Sequence, residues 1–166
     1  AEVAGAFGRR RPRPRCFVVE RMELARAYPD NPDAPGRAVF SNANSIVRRA
    51  DWLEHPFDET LAIAEDLEWA RRAVRQGRRI VYEPGAAVTH SHDYTLRQFY
   101  RRCREEGMAL SRFAGFRPDL RTILVGWPRQ AAADFRTLVA WGELSEWPRA
   151  CLFRLAQLTS RGQQPR

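Results

Sequence analysis

Two adjacent carboxylates open an apolar helix pattern. The apolar residues follow Glu65 and Asp66 at spacings of three and four: Leu67, Ala70 and Val74. This spacing predicts a helix with one buried face, and Gly77 is its expected end. Acids are favoured at a helix start by the helix dipole, so a structural explanation stays open. The chemical explanation is a general base, since an ionised carboxylate can take a proton from an alcohol as the alcohol attacks.

Three nearby side chains could contact a sugar. Trp69 lies one turn from both acids and offers a flat apolar surface of the kind that stacks on sugar rings. Asn42 and Asn44 are two apart, so in an extended segment they share one side. Buried amides must be hydrogen-bonded, and sugar hydroxyls are suitable partners. Capping of the following turn by the two asparagines is the alternative.

Two histidines end an extended segment. His90 and His92 also share one side of a strand, and neutral imidazoles are good ligands for a divalent metal. An ordinary, partly exposed histidine pair at a strand end is the alternative. Neighbouring sequence supplies no carboxylate partner, because Asp93 points the other way if the strand continues.

The patterns around these residues predict a mixed α/β chain. Extended segments are expected at 2–8, 39–47 (a strand or strand-turn), 79–82 (stopped by Pro84) and 86–92, and loops at 9–15 and 29–36. Helices are expected at 18–28, 50–54 (one turn), the segment that Glu65 opens, the segment that a Thr95–Gln98 capping box opens, 129–144 and 146–158. In the last of these, Trp147, Cys151, Leu155 and Leu158 are expected to oppose Arg149 and Arg154.

Composition narrows the class of protein. The 166 residues are 44% apolar, enough for one domain's core, and the net charge is +8. All 28 basic residues are arginine and none is lysine, which codon bias explains better than phosphate binding does, so we expect no nucleic-acid partner. Three widely spaced cysteines favour a reducing compartment. No apolar run in this sequence approaches the roughly 18 residues of a membrane span, and we expect no signal peptide.

Four segments in order resemble the C-terminal half of family 2 glycosyltransferases. They read Asn-Ala-Asn-Ser-Ile-Val-Arg-Arg, Pro-Phe-Asp-Glu-Thr, Ala-Glu-Asp-Leu-Glu-Trp-Ala and Ile-Val-Tyr-Glu-Pro-Gly-Ala-Ala-Val-Thr-His-Ser-His, and the similarity spans about residues 3–115. Bacterial rhamnosyltransferase-like members are the most similar in character. The resemblance implies an inverting enzyme of the GT-A fold that transfers a sugar from a nucleotide-diphosphate donor to a hydroxyl of a saccharide or lipid-linked acceptor.

The resemblance also implies site roles. Asp66 matches the family's catalytic base and Glu65 its motif partner. Asn42 and Asn44 match the sugar-binding cleft, and Trp69 would lie against the acceptor. His90, with His92 as the weaker choice, matches a ligand of the donor-bound metal, expected to be Mg²⁺ or Mn²⁺. The implied location is the cytoplasm, with the inner face of the cell membrane as an alternative.

The chain departs from the family in one large respect. It contains no Asp-x-Asp motif and no strand-helix repeats before residue 2, and Asp30 and Asp33 in a proline-rich loop are poor substitutes. It also starts at Ala1 without an initiator Met. We therefore expect a fragment: a partial GT-A fold at 1–116 that lacks most of the nucleotide-binding half, and a helical extension at 117–166. A non-catalytic saccharide-binding module and an accessory module at a membrane surface are the alternatives.

Overall fold

The computed structural model describes residues 2–31, 39–115 and 120–161, with the backbone alone for 120–123 and 161. The strands are β1 (Val3–Arg11), β2 (Ser45–Val47) and β3 (Arg79–Thr89). The helices are α1 (Val18–Ala27), α2 (Arg49–Glu54), α3 (Glu65–Arg75), α4 (Leu96–Ala114), α5 (Leu120–Trp141) and α6 (Trp147–Arg161), with 3₁₀ turns at Asn42–Asn44 and Leu144–Glu146. The described residues are thus mixed α/β, as predicted. None of these helices is both long enough and apolar enough to cross a membrane.

The chain divides into two compact units. Unit 1 contains the residues up to Cys16 and Glu23–His92, and unit 2 contains Phe17–Met22 and the residues from Asp93 onward. Helix α4 therefore belongs to unit 2, although the predicted domain division placed it in the first domain. The predicted boundary between 116 and 117 lies outside the described residues, as does Asp33, and that division stays a prediction.

Unit 1 is built on a three-stranded sheet in the order β2-β1-β3. β1 is parallel to β3 and antiparallel to β2. The expectation that Pro84 ends a strand is wrong, because β3 continues through it. Gly8 pairs with Glu83 and Arg10 with Val88, so residues 84–87 face a single position of β1 in a bulge. Proline fits there because a bulge needs no ladder hydrogen bond from its missing N–H.

β1 is also longer than predicted. Arg9, Arg10 and Arg11 were expected in a loop but are the last three residues of the strand. Arg9 forms an ion pair with Asp30, and Arg10 donates hydrogen bonds of 3.3 Å to the hydroxyls of Tyr28 and Ser41. These partners lie in the same unit, so the arginines are held by tertiary contacts that a local Arg/Pro pattern does not reveal.

Helix α3 covers the sheet with a different face from the one predicted. Trp69, Ala70 and Ala73 are buried, whereas Val74 is 55% exposed. The indole of Trp69 decides this rotation, because it is 1% exposed and lies against Gly5 of β1, where an added Cβ would be 3.4 Å from two ring carbons. Burying the largest side chain outweighs burying Val74.

Unit 2 is helical. The Thr95–Gln98 capping box at the start of α4 is present, so that prediction is confirmed. The buried cluster of unit 2 joins the first turns of α1 with α4, α5 and α6. Its members are Phe17, Val18, Val19, Met22, Phe99, Cys103, Leu138, Ala150 and Phe153. Helix α5 runs through Pro128, which was expected to precede the helix.

The predicted polar side of α6 is wrong at Arg154. Arg154 is 2% exposed, and its Nε lies 2.8 Å from Oδ2 of Asp134, which is 1% exposed. A buried arginine requires such a partner, and no local pattern in the sequence indicates that Asp134 on α5 is that partner. Leu152 and Leu155, in contrast, are 51% and 42% exposed.

Candidate functional site

The 3₁₀ turn at Asn42–Asn44 lies against the start of α3. Ser41 precedes the turn in an extended conformation, and its Oγ accepts a hydrogen bond from the Ala43 N–H at 3.4 Å. The backbone N–H of Asn42 then donates to Oδ2 of Asp66 at 2.8 Å. The predicted sugar-contacting segment and the predicted base are thus brought together.

Asp66 is held by backbone groups on both of its oxygens. Oδ1 accepts from the Leu67 N–H at 2.7 Å, while Oδ2 accepts from Asn42. Ala64 immediately precedes the helix in the left-handed conformation, with φ 66°, and this turn places the carboxylate on the first turn of α3. The helix dipole complements the negative charge there. Asp66 is partly exposed, so it is accessible from solvent.

The neighbouring acids differ in their surroundings. Glu65, the predicted motif partner, is partly exposed at the first position of α3. Glu68, one turn further, forms an ion pair with Arg72 at 3.2 Å along the same helix. Asp66 is therefore the member of the acidic group that is joined to the asparagine turn.

Asn44 holds the turn in place. Its Nδ2 donates to the Ala86 carbonyl in the β3 bulge at 2.7 Å and to the Arg9 carbonyl at 3.5 Å. Gly8 makes this possible, because a Cβ there would lie 1.8 Å from Ala86 O and 2.3 Å from Asn44 Nδ2. The amide of Asn42 is more exposed, and its Oδ1 accepts from Ser45 Oγ at 3.3 Å. The two asparagines therefore have unequal positions in the site.

Trp69 is a correction to the predicted site. With 1% exposure, ring contacts to Phe40 and Phe57, and Gly5 beneath it, the indole has no face available to a sugar. The same helical spacing that places Trp69 near the acids also fits the buried side of α3, and burial of the large ring prevails.

His90 and His92 lie side by side beyond the end of β3. Their ring centroids are 4.8 Å apart with perpendicular planes, in agreement with the predicted shared side. The His90 N–H donates to Arg11 O at 2.9 Å. Three residues lie between His90 and Ala86, the residue that Asn44 binds. At the rise of about 3.3 Å per residue of a strand, the four steps span at most about 13 Å.

The metal prediction is not supported by a complete ligand set. Among residues 2–31, 39–115 and 120–161, no three or more His, Cys, Asp or Glu side chains are grouped as metal ligands would be. The two imidazoles alone do not form a metal site, so we derive no catalytic step through a metal.

Sequence reasoning missed several residues that build the site. Arg10 binds Ser41 Oγ, and the Tyr28 hydroxyl, which Arg10 also contacts, donates to Val39 O at 3.0 Å. Gly8 carried a usable signal, since a glycine inside a strand often marks the close approach of another backbone. The contacts of Arg10 have no comparable signal in the sequence.

Comparison with known proteins gives a partial match. A 52-residue segment is 40% identical to the O-antigen chain rhamnosyltransferase WbaN of Salmonella anatum. The segment covers 31% of this chain and 16% of that protein. No protein family description and no solved structure matches the chain. The comparison therefore indicates a glycosyltransferase-like region.

Proposed function

We propose that the chain forms the acceptor side of an inverting glycosyltransferase of the family 2 type, in which Asp66 is the catalytic base. The observation that carries this proposal is the Asp66 carboxylate, fixed at the start of α3 by the Asn42 N–H, in a chain with a rhamnosyltransferase-like segment. The substrates would be a nucleotide-diphosphate sugar and an acceptor with a free hydroxyl.

The geometry of Asp66 suits a base. Each carboxylate oxygen accepts one backbone hydrogen bond at 2.7–2.8 Å and has two lone-pair directions, so a second direction remains for an acceptor O–H. The two N–H groups fix the orientation of the carboxylate before substrate arrives, which lowers the entropic cost of the aligned state.

The reaction would proceed as a single displacement. The acceptor oxygen forms a bond to the anomeric carbon while its proton passes to Asp66, and the bond from that carbon to the diphosphate oxygen breaks. Attack opposite the leaving group inverts the anomeric centre. The nucleoside diphosphate carries away the bonding electron pair.

The other site residues take supporting roles in this proposal. The Asn42 side chain, exposed next to the base, is the candidate contact for a sugar hydroxyl. Asn44 positions the turn through Ala86, and Glu65 adds negative charge beside the base. His90 and His92 would contribute to binding Mg²⁺ or Mn²⁺ only if ligands from outside the described residues complete the site.

The test is Asp66→Asn, measured in the product of the whole natural reading frame because the matched segment covers a small part of the relative. Release of nucleoside diphosphate is followed with and without acceptor across a panel of nucleotide sugars. We expect kcat to fall by about 10²–10⁴, with the KM for the donor nearly unchanged, since the substitution removes a proton acceptor.

Glu54→Gln is the matched control, because Glu54 is an exposed acid on α2. It should retain activity, and thermal unfolding should show that both variants are folded. Turnover of Asp66→Asn within threefold of the unsubstituted enzyme would remove Asp66 from the base role. Saccharide binding without any turnover in the unsubstituted protein would instead favour the binding-module alternative.

A further inference from the structure

Helix α5 has an apolar stripe on its exposed side. Five exposed positions recur at spacings of three and four and are all apolar: Leu124, Pro128, Ala132, Phe135 and Val139. Leu124 is 65%, Phe135 40% and Val139 53% exposed. A helix of a water-soluble unit normally presents polar residues on this side, because its apolar side is the buried one.

Helix α6 continues the stripe. Pro148, Leu152 and Leu155 are exposed at spacings of four and three. Phe135 and Trp147, the first residue of α6, meet edge to face with centroids 5.4 Å apart, and the Trp147 indole donates to Ala131 O on α5. These two aromatic side chains join the two stripes.

The two stripes face the same way. Trp127 on α5 reaches Cys151 on α6, and Phe135 reaches Trp147, so the helices are antiparallel. An α-helix turns by about 100° per residue. On each helix, the stripe is rotated about the helix axis by roughly a quarter turn from the side that contacts the other helix. On both helices this rotation has the same sense as the winding of the chain. In an antiparallel pair these quarter turns point to one side, and we call the result the α5–α6 apolar face.

Arginines border this face on both outer edges. Arg129 and Arg136 are exposed along α5 next to the stripe, and the Arg149 side chain is 57% exposed on the outer side of α6. From Leu124 to Trp141 the one acid is Asp134, which is 1% exposed and paired with Arg154. Unit 2 as a whole has 14 arginines against 8 acidic residues.

We infer that the α5–α6 apolar face binds the surface of an anionic phospholipid membrane, with both helices parallel to the plane of the membrane. Phe, Trp and Leu on one face with arginine beside them is the composition of helices that lie in a lipid interface. An anionic surface pairs with Arg129 and Arg136, whereas helix α5 of a second copy exposes no acid between Leu124 and Trp141, so charge favours lipid over that occupant. This inference is independent of the proposed transferase activity.

The test measures co-sedimentation of the chain with vesicles of phosphatidylcholine alone and of phosphatidylcholine mixed with phosphatidylglycerol. We expect binding mainly to the mixed vesicles. Arg129→Gln with Arg136→Gln should weaken it by about fivefold per arginine, because each basic residue near an anionic surface contributes about that factor. Phe135→Glu with Leu152→Glu should weaken it by at least about tenfold through lost apolar burial.

Val74→Glu is the matched control, since Val74 is 55% exposed on α3 in unit 1. It should bind as the unsubstituted chain does. Brominated lipids give a measurement that needs no variant, because they should quench tryptophan fluorescence when Trp147 meets the membrane. Absence of quenching, equal binding to neutral vesicles, equal loss with Val74→Glu, or a dimer that Phe135→Glu with Leu152→Glu dissociates would each overturn the inference.

Discussion

Gly8→Ala should destabilise unit 1 through one added methyl group. Gly8 is outside the left-handed region, so alanine is allowed by the backbone and the effect is steric. The new Cβ would lie 1.8 Å from Ala86 O, 2.9 Å from Ala86 C and 2.3 Å from Asn44 Nδ2. Two of these atoms are backbone, so a side-chain rotation does not relieve the contact.

The expected cost combines two effects. Overpacking typically costs about 1–3 kcal/mol. Displacing Ala86 also breaks the 2.7 Å bond from Asn44, worth about 1 kcal/mol. We therefore expect the free energy of unfolding to fall by about 2–4 kcal/mol.

Urea denaturation followed by circular dichroism measures this difference. Gly126→Ala is the matched control, because a Cβ there meets no atom within 4 Å and Gly126 is inside α5. The control should gain about 0.5–1 kcal/mol, as alanine does over glycine in a helix. A Gly8→Ala protein within 0.5 kcal/mol of the unsubstituted chain would refute the close approach of the bulge and the role of Asn44, a threshold set by ordinary surface substitutions of about that size.

Two further outcomes follow from buried and titrating groups. Arg154→Met should lower the free energy of unfolding by about 3–5 kcal/mol, because it leaves the Asp134 carboxylate buried without its guanidinium. Adding Asp134→Leu should restore most of that stability. A cost of Arg154→Met alone below about 1 kcal/mol in urea denaturation would contradict this. Burial raises the pKa of Tyr82, so its contribution to stability is complete below pH 10 and is lost as the pH rises through the higher folded-state pKa. The free energy of unfolding, measured by urea denaturation between about pH 9 and 12, should therefore fall more steeply with pH for the unsubstituted chain than for Tyr82→Phe. Equal slopes would argue against the raised pKa of Tyr82.

Local signals in the sequence predicted most elements and part of the site. The capping box at Thr95 and the acidic start of α3 are determined by neighbouring residues, and both were located correctly. The spacing of His90 and His92 predicted that they share one side, and their rings are in contact although both lie beyond the end of β3. These features need no knowledge of distant contacts.

The errors came from contacts between distant segments. Pro84 lies in a bulge whose existence depends on the pairing with β1, and Arg154 is buried because Asp134 lies on the neighbouring helix. Trp69 was wrongly predicted to contact a sugar for another reason: a large aromatic ring fits both an exposed binding surface and a buried core. The 52-residue match supports a glycosyltransferase-like region, and the assignment to family 2 and to the GT-A fold stays a prediction.

The order of the sheet has a consequence for synthesis on the ribosome. Gly5 of β1 pairs with Val47 of β2, which is 42 positions later in the chain. Val3 of β1 pairs with Arg79 of β3, which is 76 positions later. At a synthesis rate of about 5–20 residues per second, the pairing residue of β2 is made about 2–8 s after that of β1, and the pairing residue of β3 about 4–15 s after it. During that interval the strand exposes Ala4 and Phe7, while Arg9 to Arg11 keep one end charged and discourage pairing with other nascent chains.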